Sequence, residues 1–195
     1  MSLILPGVRT ELVKAYSASD RYYHNLRHIE AMLNLMREHI ASLADPAIVE
    51  AAIWFHDAIY DTRRDDNERR SADLARERLS AIATKDQLDR IVAMIRASAN
   101  HVVPSDGCAA RDCALFLDMD LAILASNPHE FAVYEQAVRR EYAWVAETQW
   151  IAGRRRVLET FMMRANIYSS PQFRSSHEAA ARRNLAQALS ALEAK

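Results

Sequence analysis

At 195 residues, 50% hydrophobic and 26% charged, the chain can bury a full core and fits one domain. Three glycines and five prolines are too few for a sheet protein with many tight turns, and a net charge of −1 gives no support to a nucleic-acid or membrane-surface protein. Ala, Leu, Arg and Glu are abundant; all are good helix formers, as is Met, so the composition predicts an all-α chain. Lysine occurs only at Lys14, Lys85 and Lys195, and the rest of the positive charge is arginine. That skew suits phosphate recognition, but an arginine-biased genome produces the same skew and is the preferred reading. Cys108 and Cys113 lack a C-x-x-C spacing, which argues against a thiolate zinc site. No secretory signal or long apolar span opens the chain, so the expectation is a cytoplasmic protein with reduced thiols.

In chain order, the patterns predict about eight helices in one compact bundle. The first covers Pro6–Tyr16. A second spans about Tyr22–Ser42, with an apolar stripe of Ile29, Leu33, Met36 and Ile40. Asp45 and Pro46 form a cap and first-turn pair that opens a helix to about Ile59. Asn67 is expected to cap a helix to about Ile82, and Thr84 one to about Ala99. A loop from Asn100 to Gly107 contains the breakers Pro104 and Gly107. Further helices are expected at about Arg111–Ala125, from Asn127–Pro128 to about Ala146, and from a Thr148 cap to about Ala165. After a loop at Ser169–Pro171, Ser175 or Ser176 begins a last helix to about Leu192. The expected organisation is a single domain, with a core at about 20–125 and helices at about 128–193 packed on it.

Three places put polar, titratable residues where the pattern is apolar. His24 and His28 stand four apart, and on a helix they would share the face that carries Met32 and Leu35. Taken alone, they read better as core-edge histidines with ordinary hydrogen bonds than as ligands. His56–Asp57 ends the stretch Ala47–Phe55, apolar except for Glu50. Such a pair is costly to bury unless a metal, a hydrogen-bonded partner or a helix end compensates it. Asp118 and Asp120 interrupt the apolar run from Cys113 to Ala125. Two apart on a regular helix they face different ways, so only one can serve a given site. Taken together, two imidazoles and two carboxylates make a mixed nitrogen and oxygen ligand set. It suits one divalent Mn, Fe, Co, Ni or Zn ion, and Mg less well. Four ligands leave positions open, as in catalytic rather than structural sites.

His28, His56–Asp57 and Asp120, in that order, resemble the His…His-Asp…Asp pattern of the HD-domain superfamily of metal-dependent phosphohydrolases. The likeness to its uncharacterised bacterial predicted phosphohydrolases runs through Tyr23-His24-Asn25-Leu26-Arg27-His28 and Trp54-Phe55-His56-Asp57-Ala58-Ile59-Tyr60-Asp61. It continues through Asn67–Ala72, Leu117–Leu121, Val138–Tyr142 and the Glu178…Arg182…Asn184 stretch, so it covers nearly the whole chain. The resemblance implies an all-helical core with one metal held by His28, His56, Asp57 and Asp120. Asp120 is preferred because the family shows an Asp-x-Asp whose second Asp ligates; Asp118 is the reserve. The extra histidines of two-metal relatives are missing, with Glu68 near one such position and His101 near another.

The implied activity is hydrolysis of a small phosphate ester or anhydride, a nucleotide by preference, by metal-activated water. Asp57 would orient that water. His24 would contact the phosphate or protonate a leaving oxygen, and Glu68 and His101 are acid/base or supporting candidates. Arg27, Arg139 and Arg164 would bind phosphate oxygens or form structural ion pairs. Tyr22, Tyr23, Trp54 and Tyr60 would line a base pocket or pack the core. Expected partners are a small phosphate substrate, with no nucleic acid and no membrane; self-association into a homo-oligomer is left open. The alternatives are a non-catalytic metal- or nucleotide-binding module of the same fold and a two-iron oxygenase.

Overall fold

A computed structural model describes residues 2–104 and 110–193. Among the described residues the chain is all-helical, with nine α-helices, two short 3-10 helices and no strand. No described helix is long and apolar enough to cross a membrane. The chain divides into two units, Met1–Asp120 and Leu121–Lys195.

The first unit holds α1 (Pro6–Tyr16), α2 (Leu26–Glu38), α3 (Pro46–Phe55), α4 (Asn67–Leu79), α5 (Lys85–Ala97) and α6 (Ala110–Asp120). Its centre is α3, where Ile48, Val49, Ala51, Ala52, Ile53, Trp54 and Phe55 are all buried. A helix apolar on every side needs neighbours on every side. Here α2, α4, α5 and α6 pack on it. They supply Ile29, Met32, Leu79, Ile91, Ile95 and Phe116, each no more than 1% exposed. At about 1.5–3 kcal/mol per fully buried large apolar side chain, this core dominates the stability of the unit.

Local signals explain most helix starts. Pro6, Pro46 and Pro128 occupy first-turn positions, where a missing N–H costs nothing. Asp45 caps α3 by accepting from the Ile48 N–H at 3.3 Å. Thr84 and Gln87 form a reciprocal capping box at the start of α5. The start of α3 is held a second time, because the buried carboxylate of Asp112 on α6 accepts from the Ala44 and Asp45 N–H groups at 2.8 and 2.9 Å. Arg90 stands 3.7 Å from the same carboxylate.

Several expected boundaries are corrected. The second helix begins at Leu26, not Tyr22, because Asn25 is its N-cap. Asn25 Oδ1 accepts from the Arg27 N–H at 2.9 Å, while its amide donates to the Tyr22 carbonyl at 2.8 Å and closes a turn. His24 therefore lies before the helix and does not share a helical face with His28. The third helix stops at Phe55, not Ile59, because distant side chains take the backbone groups that a longer helix would use. Arg21 binds the Asp57 and Ala58 carbonyls, Ser71 binds the Ile59 N–H, and Asn67 binds the Asp61 N–H. Asn67 is accordingly the first residue of α4 and bonds Asp61 instead of capping its own helix. The expected helix at Arg111–Ala125 is α6 followed by a 3-10 helix, Leu121–Ala125. The predicted loop at Asn100–Gly107 is described only as far as Pro104; Gly107 and Cys108 lie outside the described residues.

The second unit begins with that 3-10 helix and holds α7 (Pro128–Glu141), α8 (Glu147–Met162) and α9 (Pro171–Glu193). The start of α8 lies at Glu147 after Ala146, with no side-chain cap from the expected Thr148. The last helix starts at Pro171, four residues before Ser175, with Ser170 Oγ accepting from the Phe173 N–H at 3.3 Å. Buried side chains close this unit. Asn184 donates to the Leu124 and Ser126 carbonyls, and the Tyr168 hydroxyl donates to the Leu121 carbonyl. Glu178 accepts from the Ile167 and Tyr168 N–H groups and pairs with Arg182.

Candidate metal centre

Three helix ends of the first unit bring titratable side chains to one point. His28 lies in the first turn of α2, His56 and Asp57 follow the last residue of α3, and Asp120 closes α6. The two imidazole Nε2 atoms are 3.2 Å apart. His56 Nε2 is 3.0 Å from Asp57 Oδ2 and 3.6 Å from Asp120 Oδ1; His28 Nε2 is 3.1 Å from the same Asp120 oxygen. One ligand atom from each of His28, His56 and Asp57 falls within 4.8 Å of the others.

These separations suit a shared ion. Donor atoms about 2.1 Å from one metal stand about 3.0–3.4 Å apart in tetrahedral or octahedral arrangements. The tautomer of His56 fits as well. Its Nδ1 is 2.9 Å from the Ile53 carbonyl, which can only accept, so Nδ1 carries a hydrogen and Nε2 is the nitrogen turned to the cluster and free to bind an ion once deprotonated. Two neutral imidazoles and two carboxylates carry a formal charge of −2, the complement of a divalent cation.

The electrostatics also favour positive charge here. Burial opposes a charge on His56, yet the carboxylates of Asp57 and Asp120 outweigh it and push this imidazole well above its usual range. Burial acts to raise Asp57 and Asp120 too, and the facing imidazoles overcome it, holding both carboxylates below their usual range. His56 and His28 side chains are 1% and 4% exposed, against 13% for Asp57 and Asp120. The cluster therefore opens to solvent on its carboxylate side. Phe116 meets His56 edge-on at 5.8 Å and Tyr23 stands 5.0 Å from His28, so rings wall off the imidazole side.

The other expected site residues are placed unevenly. His101 joins the cluster, its Nε2 2.9 Å from Asp120 Oδ2. His24 stands beside it, stacked on Tyr60 at 4.3 Å with its ring centre 6.2 Å from that of His28. Glu68 is half-buried in the first turn of α4, outside the bonded cluster. Asp118 is buried in α6, and it is Asp120 that meets the imidazoles. Arg27 is exposed. In the second unit Arg139 is committed to Glu147 and to the Tyr142 and Val145 carbonyls, and Arg164 lies over the Phe161 ring.

The site's supporting residues escaped the sequence reading. Arg21 donates to the carbonyls of His24, Asp57 and Ala58 at 3.1, 2.7 and 3.0 Å. Its guanidinium lies over the Tyr16 and Tyr60 rings, 4.9 and 5.5 Å from their centres. Ser71 bonds both backbone groups of Ile59, and Asn67 both of Asp61. The turn after the dyad is thus fixed by three side chains whose partners are backbone atoms. No residue letter marks such partners; the only available signal was an arginine within the polar, aromatic turn before His28. No family model, no curated protein and no solved structure matches the chain, so the functional reading rests on these residues.

Proposed function

We propose that the protein is a metal-dependent phosphohydrolase that hydrolyses a small phosphate ester or anhydride, by preference a nucleotide. The observation that carries this reading is the chain of short contacts at three helix ends: Asp57 to His56 at 3.0 Å, His56 to His28 at 3.2 Å and His28 to Asp120 at 3.1 Å. These four residues would hold one Mn, Fe, Co, Ni or Zn ion. When bound, the ion supplies a Lewis acid that acidifies water and withdraws charge from a phosphoryl oxygen.

The remaining work falls to the chain. Asp57 sits at the solvent edge, accepts a hydrogen bond from the attacking water and orients it toward phosphorus. Arg21 holds the carbonyls of Asp57 and Ala58 and Ser71 holds the backbone of Ile59, which fixes the turn that carries the Asp57 carboxylate beside His56. His24, steadied by its stack on Tyr60, contacts the phosphate or gives a proton to the leaving oxygen. The nucleotide preference comes from the family resemblance, supported by the Tyr23 and Tyr60 rings beside the cluster.

A screen of the metal-loaded protein tests the reading. Nucleoside mono-, di- and triphosphates, cyclic nucleotides and general phosphodiester probes would be assayed with Mn, Co, Ni and Mg. Turnover of at least one class is expected, lost in H56A and D57A. Stoichiometric metal with no turnover of any substrate would instead indicate a binding module.

A further inference from the structure

We infer that His101 is a positioning residue that fixes which oxygen of Asp120 faces the ion; the inference rests on the metal-centre reading above. The two oxygens of Asp120 have different partners. Oδ1 faces His28 and His56 at 3.1 and 3.6 Å, and Oδ2 faces His101 Nε2 at 2.9 Å. A carboxylate free to rotate can offer an ion either oxygen or both. With Oδ2 engaged by His101, Oδ1 is the oxygen presented to the imidazoles. Hydrogen bonds of this kind orient ligands and tune their affinity.

The backbone supplies an independent observation. His101 has φ 51°, the only positive value at a non-glycine position among the described residues. Its N–H donates to the Ala97 carbonyl at 2.8 Å, closing the end of α5 in the left-handed geometry that glycine adopts without strain. A helix stop alone would be served better by glycine. The strain is tolerated at a position from which an imidazole reaches Asp120, the pattern expected where backbone strain serves a site.

Substitution by glycine separates the two roles. H101G keeps the turn and relieves the backbone, so the metal-free variant should fold, with an unfolding midpoint close to that of the wild type. Its affinity for Co(II), measured by titration of the chelator-treated full-length protein, should fall about 10- to 100-fold. Its Co(II) absorption bands should shift as Asp120 binds in a different mode. H101N tolerates the same backbone, stops short of Asp120, and should show the same loss and the same spectral change. Affinity within twofold of wild type and an unchanged spectrum in both variants would overturn the inference. H56A, titrated in parallel, separates the two levels of the argument. If H56A loses Co(II) while H101G and H101N match the wild type, only the role of His101 falls. If H56A binds Co(II) as the wild type does, or the wild type binds none, the metal-centre reading falls and this inference with it.

Discussion

The carbonyls of His24, Asp57 and Ala58 all end on one guanidinium, that of Arg21. Removing it would leave three half-buried acceptors short of a donor and loosen the turn that carries Asp57. R21A should lower the unfolding free energy by about 2–3 kcal/mol in urea titrations. R21K should recover little of this, because an ammonium cannot fork between three carbonyls. Cys113 makes a separate prediction at this scale. It is buried, and burial, helped by the Asp112 charge beside it, pushes its thiol up to about 12. In a C108S variant, the remaining thiol should resist a disulfide reagent at pH 8 until the protein is unfolded; prompt reaction in the native state would contradict its placement. The ligand candidates were legible because charged letters stand out in apolar runs. Arg21, Ser71, Asn67 and Asp112 were not, because what they bind is backbone, six residues away for Asn67 and up to 68 for Asp112.

Helix starts were legible at Asp45–Pro46, Thr84…Gln87 and Asn127–Pro128, where a cap is followed by a proline or completed by a capping box, and not at Asn25 or Ser170, which sit in polar turns. Helix ends and loop-side starts were less so. The end of α3 depends on residues of α4 and of the turn before α2, and Pro171, read as part of a loop, is the first residue of α9. The capping box of α5 gives the sharpest test at this scale. Thr84 Oγ1 accepts from the Gln87 N–H, and Gln87 returns a bond to the Thr84 N–H. T84A should cost about 1 kcal/mol of stability, measured by chemical denaturation, with far-UV circular dichroism unchanged. A cost near zero would mean that packing of Ile91 and Ile95 alone holds the helix in place.

Across the molecule, the candidate ligands come from three places in the chain, the start of α2, the end of α3 and the end of α6. An ion held by all of them would bind the folded chain and not the unfolded one, so it would act as a brace across the first unit. At about 100 times its dissociation constant it should raise the unfolding free energy by about 2.7 kcal/mol, seen as a higher thermal midpoint that a chelator reverses. The all-helical class was legible from composition and periodicity, since few glycines and abundant helix formers leave a chain of this length little else to build. The meeting point of three helix ends was expected from the family resemblance alone; composition and periodicity do not give it, since it depends on how α2, α3 and α6 pack. Metal content tests the central claim most directly. Elemental analysis of the purified, metal-loaded protein should find about one divalent transition metal per chain in the wild type and little in H56A and D57A, with all three equally helical. Full metal content in both variants, or none in the wild type, would contradict the account.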